Sequence, residues 1–288
     1  MLIDGALAGA IYALIALAFV LVYKSSRMIN FAAGEWIMLG ALMAGAGYHA
    51  IGLGLAGAMF FAAAAMAVFG VAFNGIVVGR LTSHPVISLI MVTIGLGAMM
   101  RGTAALVFTD IPSGIPLPVS AEPLLMNDFP VSPEKLIAAS TAAGAIVLLT
   151  WLYHYSRTGI ALRAIADDPT AASAAGINTH RLFALVWAIT GIISMVAGIL
   201  WTFVTGGGFG VALVGLKIFP IVVIGGLDSL PGTIVAAMLI GIVESLGAGY
   251  LDSQLGPGFG TISSYLLLLA MLLARPYGLF GRAPAVRV

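Results

Sequence analysis

Long apolar runs separated by short polar breaks organise this chain from end to end. Nine such segments stand out: Leu2–Tyr23, Phe31–Ala50, Leu53–Phe73, Val86–Phe108, Leu136–Tyr153, Leu182–Val204, Val211–Gly226, Thr233–Tyr250 and Gly258–Ala274. Crossing a bilayer by helix takes roughly 20 mostly apolar residues, about 17–25. Helix is the default there because every backbone amide must be satisfied within its own segment. The pattern therefore predicts an all-α protein, a polytopic transmembrane helical bundle of eight or nine spans. The count turns on the seventh segment, which is short, follows the tract TGGGFG and contains Lys217 and Pro220. It either crosses in full or is a broken or re-entrant helix, which leaves eight complete spans. The first segment does not read as a signal peptide, since it lacks a basic front, carries Asp4 and runs too long.

Composition points the same way. Apolar residues make up 61% of the 288 and charged residues 8%, with a mean hydropathy of +1.13; soluble domains run at about 45–50% and about 25%. A water-soluble globule of this size has no means of hiding so much apolar surface. The net charge of +1 makes no electrostatic case for nucleic acid. The absence of cysteine removes disulfides, thiolate metal sites and cysteine nucleophiles together. No long hydrophilic block is present to fold separately, so residues 1–288 read as a single transmembrane domain.

Basic residues set the expected orientation. With the N-terminus outside and the C-terminus cytoplasmic, the inner loops receive Lys24, Arg27, Arg80, Arg157, Arg163, Arg181, Arg275, Arg282 and Arg287. The outer loops receive Lys135, while Arg101 and Lys217 fall within spans, which satisfies the positive-inside rule. Glycine is abundant, 37 of 288 residues, and the four-residue spacings Gly5/Gly9 and Gly75/Gly79 mark places where helix backbones are expected to approach closely.

Two loops differ from the rest. The outer loop Thr109–Glu134 carries Pro112, Pro116, Pro118, Pro123, Pro130 and Pro133. Proline is stiff and removes a backbone donor, so no strand is expected there; a loop of this length is either a contact surface or disordered. The inner loop His154–Arg181 reads HYSRTGIALRAIADDPTAASAAGINTHR. A helical stretch is expected over Thr158–Ala166. Asp168 then suits an N-cap, Pro169 the first helical position, and Gly176 the left-handed residue just past the end. The intervening Pro169–Ala175 is about two turns, too short to be stable alone. It needs either a groove on another protein or a seat against its own bundle.

The core of that loop, RAIADDPTAASAAGI, resembles the cytoplasmic loop of ABC importer permeases, where a Glu-Ala-Ala-x-x-x-Gly motif docks into the ATPase. The matching positions are Thr170, Ala171, Ala172 and Gly176, with threonine where many relatives carry glutamate. Together with the runs GAIYALIALAFVLVYKSSRMINFAAGE, GLKIFPIVVIGGLDSLPG and LLARPYGLFG, the chain is similar along its whole length to the branched-chain amino acid ABC transporter permease family. Ala33 departs from the polar residue that relatives often have.

The resemblance implies a non-enzymatic permease subunit of an ATP-driven importer, integral to the bacterial inner membrane. Its cargo would be branched-chain or other hydrophobic amino acids; urea, short amides and aromatic acids are the alternatives within the family. It implies a second, related permease, two ATP-binding subunits and an external solute-binding protein as partners. ATP and Mg would sit on the ATPases, with no cofactor on this chain. It assigns ATPase coupling to Arg163, Asp167, Asp168, Pro169, Thr170, Ala171, Ala172, Gly176 and Ile177.

Ionisable groups inside spans are costly and mark a pathway or a buried pair. Lys217 lies about 13 Å above the inner end of its span and Glu244 roughly 18 Å up the next one at helical rise. A short inner turn joins the two, so they are expected to pair, as a brace of the bundle or as part of the substrate path. Asn30, Gly34 and Glu35 form a second group near the inner end of the second span. They read as an interrupted helix start lining a cavity, or as interfacial capping of that helix. Arg101 is expected to snorkel outward, with no role in transport. No GxxxxGK[ST], HExxH or GxSxG sequence occurs, which argues against an enzyme. An ATP-independent channel or secondary transporter is the rival reading, and the short capped helix would have no purpose in it.

Overall fold

The computed structural model describes residues 1–81, 86–116, 124–126 and 129–281. All nine apolar segments fold as helix. The elements in chain order are α1 (Leu2–Ser26), α2 (Ala33–Gly45), α3 (Gly54–Phe73), α4 (Gly79–Leu81), α5 (Val86–Val107), β1 (Leu124–Met126), β2 (Phe129–Val131), α6 (Pro133–Tyr155), α7 (Arg157–Asp167), α8 (Pro169–Ala174), α9 (Thr179–Thr205), α10 (Val214–Gly225), α11 (Leu230–Tyr250), α12 (Asp252–Leu255) and α13 (Phe259–Ala274). Wider π turns at Ala46–Ala50 and Asn74–Val78 continue α2 and α3, and a 3-10 turn at Phe209–Leu213 leads into α10. Six helical stretches are long and apolar enough to cross a membrane: Leu2–Ser26, Gly54–Val78, Ile87–Val107, Pro133–Tyr155, Thr179–Phe203 and Leu230–Tyr250. Phe209–Gly225 and Phe259–Ala274 are apolar but shorter.

The chain forms two compact units. The first comprises Met1–Val20, Val119–Ala143 and Leu216–Val288; the second comprises Leu21–Pro118 and Gly144–Gly215.

In the first unit α11 packs against α13 and the front of α1. Gly5 and Gly9 do what their spacing promised. A Cβ placed on Gly241 would lie 2.4 Å from the Gly5 carbonyl oxygen and 2.7 Å from the Gly9 Cα, so the α1 and α11 backbones touch. The tail returns to α10, where Leu279 donates its amide to the Ile224 carbonyl (2.7 Å).

The second unit is built on α2, α3 and α9. A Cβ on Gly198 would meet the Ile37 carbonyl at 2.3 Å, and one on Gly70 the Trp187 carbonyl at 2.2 Å. Trp36, Phe69, Phe73 and Trp187 interlock in this core, with ring centroids 4.5–5.3 Å apart; Trp36 meets Phe69 and Phe73 edge to face, and Trp187 is tilted against Trp36 and Phe73. Gly75 and Gly79 do not behave as expected. A Cβ on Gly75 would find nothing within 4 Å, and the nearest atom to one on Gly79 is 3.4 Å away. Spacing alone does not rotate a glycine pair toward a neighbouring helix.

The expectation of no strand in the proline-rich loop is also corrected. β1 and β2 form an antiparallel hairpin in which Leu125 stands opposite Pro130. In a two-stranded ribbon both strands are edges, so a residue lacking an amide proton is tolerated when that side points away from the ladder. Pro118 and Pro123 of this loop, and Arg282 and Arg287 of the tail, lie outside the described residues.

Candidate functional site

Three regions bring the sequence candidates together, and each is held by ordinary local chemistry. The first is the stretch that follows α6. Ser156 ends that helix and starts α7, its hydroxyl oxygen accepting from the Gly159 amide (2.9 Å). α7 buries Leu162 and Ile165. Its Arg163 turns back, and the guanidinium donates to the carbonyls of Tyr153 and His154, groups that the end of α6 leaves without helical partners. α8 is capped as its composition predicts. The Asp168 carboxylate accepts from the Thr170 and Ala171 amides (2.8 and 3.0 Å), Pro169 opens the helix, and Gly176 takes φ +83°. Ala175 is the C-cap, one residue earlier than the expected helix end.

Asp167, Asp168, Thr170, Ala171 and Gly176 are exposed, Ala172 is buried and Ile177 is half-buried. The six-residue α8 thus displays nearly its whole girth. Arg163 does not share that face; it ties α7 to α6. Asn178 caps the next helix, accepting from the Arg181 amide (3.0 Å).

The second region is a closed polar network in the first unit. Lys217 of α10 and Glu244 of α11 form the expected salt bridge through Nζ and Oε1. Lys217 also donates to the Tyr12 hydroxyl (3.0 Å), and that hydroxyl donates to Glu244 Oε2 (2.8 Å). Thr261 of α13 donates to Glu244 Oε1 (3.3 Å), and Tyr265 donates to the Leu216 carbonyl (3.3 Å). Both oxygens of the carboxylate are used, and four helices, α1, α10, α11 and α13, are tied at one level. The depth arithmetic anticipated Lys217 and Glu244 and missed Tyr12, Thr261 and Tyr265. Hydroxyls on the facing sides of α1 and α13 were the available signal.

The third region lies in the second unit. After α1 the chain runs without helical structure through residues 27–32, with Arg27 at φ +54°. Met28, Asn30 and Ala32 are buried while Arg27 and Phe31 are exposed, so alternate residues of the non-helical run face into protein. Asn30 accepts the Ala32 amide (3.0 Å), and the Phe31 amide donates to the Thr93 hydroxyl (3.3 Å). Helix restarts at Ala33, with Asn30 ahead of that start and Gly34 and Glu35 in its first turn. A Cβ on Gly34 would lie 2.1 Å from the Ala212 carbonyl, and this small residue lets α2 begin against the 3-10 turn.

One expectation changes here. Glu35 lies in the first turn of α2, and that turn packs beside α5. Thr93, Gly97 and Arg101, spaced by four on α5, face it. Arg101 does not simply snorkel; its Nη2 contacts Glu35 Oε1 at 2.5 Å. The carboxylate rests over Gly97, where a Cβ would stand 3.2 Å from Oε2. The i, i+4, i+8 series on α5 was the sequence signal for this pair. Among the described residues no cluster of three His, Asp or Glu side chains is arranged to hold a metal ion.

Comparison with known proteins completes the description. The family model described as "Branched-chain amino acid transport system / permease component" matches residues 1–275. The chain is similar to the high-affinity branched-chain amino acid transport system permease protein LivH of Escherichia coli K12, with 29% identity over 99% of this chain and 96% of that protein. LivH of Salmonella typhimurium is 31% identical over the same shares. The permease protein BraD of Pseudomonas aeruginosa is 29% identical over 100% of this chain and 97% of its own length. With the match running through all three regions, this chain belongs to the family of branched-chain amino acid transport system permease components.

Proposed function

We propose that this chain is the membrane permease subunit of an ATP-driven ABC importer in the cell inner membrane, and that it carries branched-chain amino acids delivered by an external solute-binding protein. The observation that supports it most is the end-to-end match to permeases named for that cargo. The same match favours these amino acids over urea, short amides or aromatic acids.

Residues 1–288 act in this reading as one transmembrane permease domain, N-terminus outside and C-terminus cytoplasmic, following the basic residues. The six long helices cross the bilayer. α2 with its π turn, α13 and residues 209–225 supply the remainder, nine spans in all if 209–225 crosses fully and eight if it does not. The chain hydrolyses nothing; ATP and Mg belong to two separate ATP-binding subunits, and a second, related permease completes the membrane part.

α8 is the contact for an ATP-binding subunit. It is exposed, capped at both ends and too short to stand alone. A push on it reaches α6 through α7, because Arg163 ties those two helices together. The Lys217–Glu244–Tyr12 network braces its bundle, and Asn30, Gly34 and Glu35 line the path.

Reconstituted with its partners in proteoliposomes, the chain supports leucine uptake that needs both ATP and the binding protein. Scrambling residues 168–176 releases the ATP-binding subunit on purification and abolishes uptake while the permease remains folded. Uptake that persists without any ATP-binding subunit overturns the reading.

A further inference from the structure

The Glu35–Arg101 pair is unlike the other ion pairs among the described residues. Asp4, with Lys135 and the N-terminus, sits at helix ends, and both side chains of Lys217–Glu244 are mostly covered, 22% and 14% exposed. Arg101 instead stands within a long apolar helix, six residues before its C-terminal end, with its side chain 50% exposed, while Glu35 is only 11% exposed. Large exposed side chains around Arg101 on α5, Ile94, Met99 and Leu106, are apolar. A guanidinium keeps its charge under all ordinary conditions, and a charge at such a place faces a bundle interior or a water-filled cavity rather than lipid.

Both groups also have capacity to spare. Among the described residues, Arg101 donates through Nη2 while its Nε and Nη1 have no partner, and Glu35 accepts at Oε1 while its Oε2 takes no hydrogen bond. Glu244, by contrast, uses both oxygens. The open pair is neutral overall. A ligand that is itself a neutral pair of charges can insert between them, replacing one ion pair by two and leaving no charge uncompensated. A ligand with net charge cannot.

We propose that Glu35 and Arg101 form a recognition site for the zwitterionic backbone of an amino acid. The free edge of the guanidinium takes the α-carboxylate in the two-pronged geometry that arginine favours, and the Glu35 carboxylate takes the α-ammonium. Gly97 keeps the floor beneath the carboxylate low, since any side chain there would press on Oε2. The proposal rests on the reading of the chain as an amino acid permease and names the part of the cargo that the permease itself inspects.

The test uses the complete importer in nanodiscs without the solute-binding protein, so that any binding is the membrane part's own. Displacement of radiolabelled leucine is measured with leucine, leucinamide (no carboxylate) and N-acetylleucine (no ammonium). In the unaltered protein each analogue competes roughly tenfold to a hundredfold less well than leucine, the effect of one lost charge-assisted hydrogen bond. Arg101→Gln erases the difference between leucine and leucinamide but keeps the penalty on N-acetylleucine. Glu35→Gln does the reverse, and Arg101→Lys restores part of the carboxylate preference. Equal competition by all three compounds in the unaltered protein overturns the proposal without any variant, as does the lack of saturable leucine binding. Variants that weaken all three compounds alike also overturn it. Uptake dependent on ATP and the binding protein, measured in parallel, separates the two readings: its presence without discrimination sinks the site alone, and its absence sinks the permease assignment.

Discussion

Glu244 and Glu35 are both carboxylates set among packed helices, and each contacts a cation, yet their surroundings differ in every other respect. Glu244 is surrounded on all sides by donors from α1, α10 and α13, and its lysine shares the same hydroxyl. Glu35 meets a single arginine whose other donors have no hydrogen-bond partner among the described residues, beside a stretch of non-helical backbone. A saturated network has nothing left to offer a ligand and serves to fix helices relative to one another. An unsaturated pair holds its place only loosely and can exchange partners. Charge inside a bundle is therefore structural or functional according to how many of its hydrogen bonds are already made.

The sharpest way to break this contrast is to remove one charge from each pair. Glu244→Leu leaves a mostly covered ammonium without its counter-ion, and the cost is expected at up to about 3 kcal/mol. Thermal unfolding of the purified permease in detergent, or loss of expression, reads it. Lys217→Met with Glu244→Met recovers most of that loss, because two apolar side chains replace the pair without stranding either charge. Glu35→Leu costs about 1 kcal/mol or less, since Arg101 is already half in solvent. Equal losses at the two sites would erase the distinction between a brace and an open pair.

Intermediate effects belong to the close backbone contacts. Gly241→Ala drives a Cβ into the Gly5 and Gly9 backbone, and overpacking of this kind costs roughly 1–3 kcal/mol. Gly34→Ala meets the Ala212 carbonyl in the same way. It is expected to shift α2 and so to disturb the Glu35 contact as well, which uptake assays detect alongside unfolding temperature. Gly75→Ala, with open space around it, serves as the control and changes stability by about 0.5 kcal/mol or less.

The most local change in stability comes from Asp168→Ala. Loss of the cap costs about 1 kcal/mol and is confined to the exposed α8, so the unfolding temperature of the bundle stays the same. Retention of the ATP-binding subunit on purification falls nonetheless.

How far the sequence could be read follows from the range of each interaction. The Asp168–Pro169–Gly176 signals were legible because capping depends on residues within one turn of one another. Lys217 and Glu244 were legible because a helix has a fixed rise, so counting residues from a short turn gives both depths. Tyr12 and Thr261 lay beyond that method: depth says nothing about how helices that are remote in sequence rotate toward each other. The Arg101–Glu35 contact was missed for the same reason: it joins two helices whose mutual rotation the residue count does not carry. The hairpin at β1 and β2 was missed because a rule about central strands was applied to a ribbon that has only edges.

The solvent and the list of helices were thus written in the order of residues alone, since burying so much apolar side chain with satisfied amides leaves helices in lipid as the answer. So were the ends of the short ones, where a carboxylate, a proline and a glycine act on their own turn. Which charges meet, which glycines touch and which carboxylate is left with an oxygen to spare were decided only when the helices packed. Those outcomes depend on rotation and offset between segments far apart in the chain, and the local pattern carries no record of either.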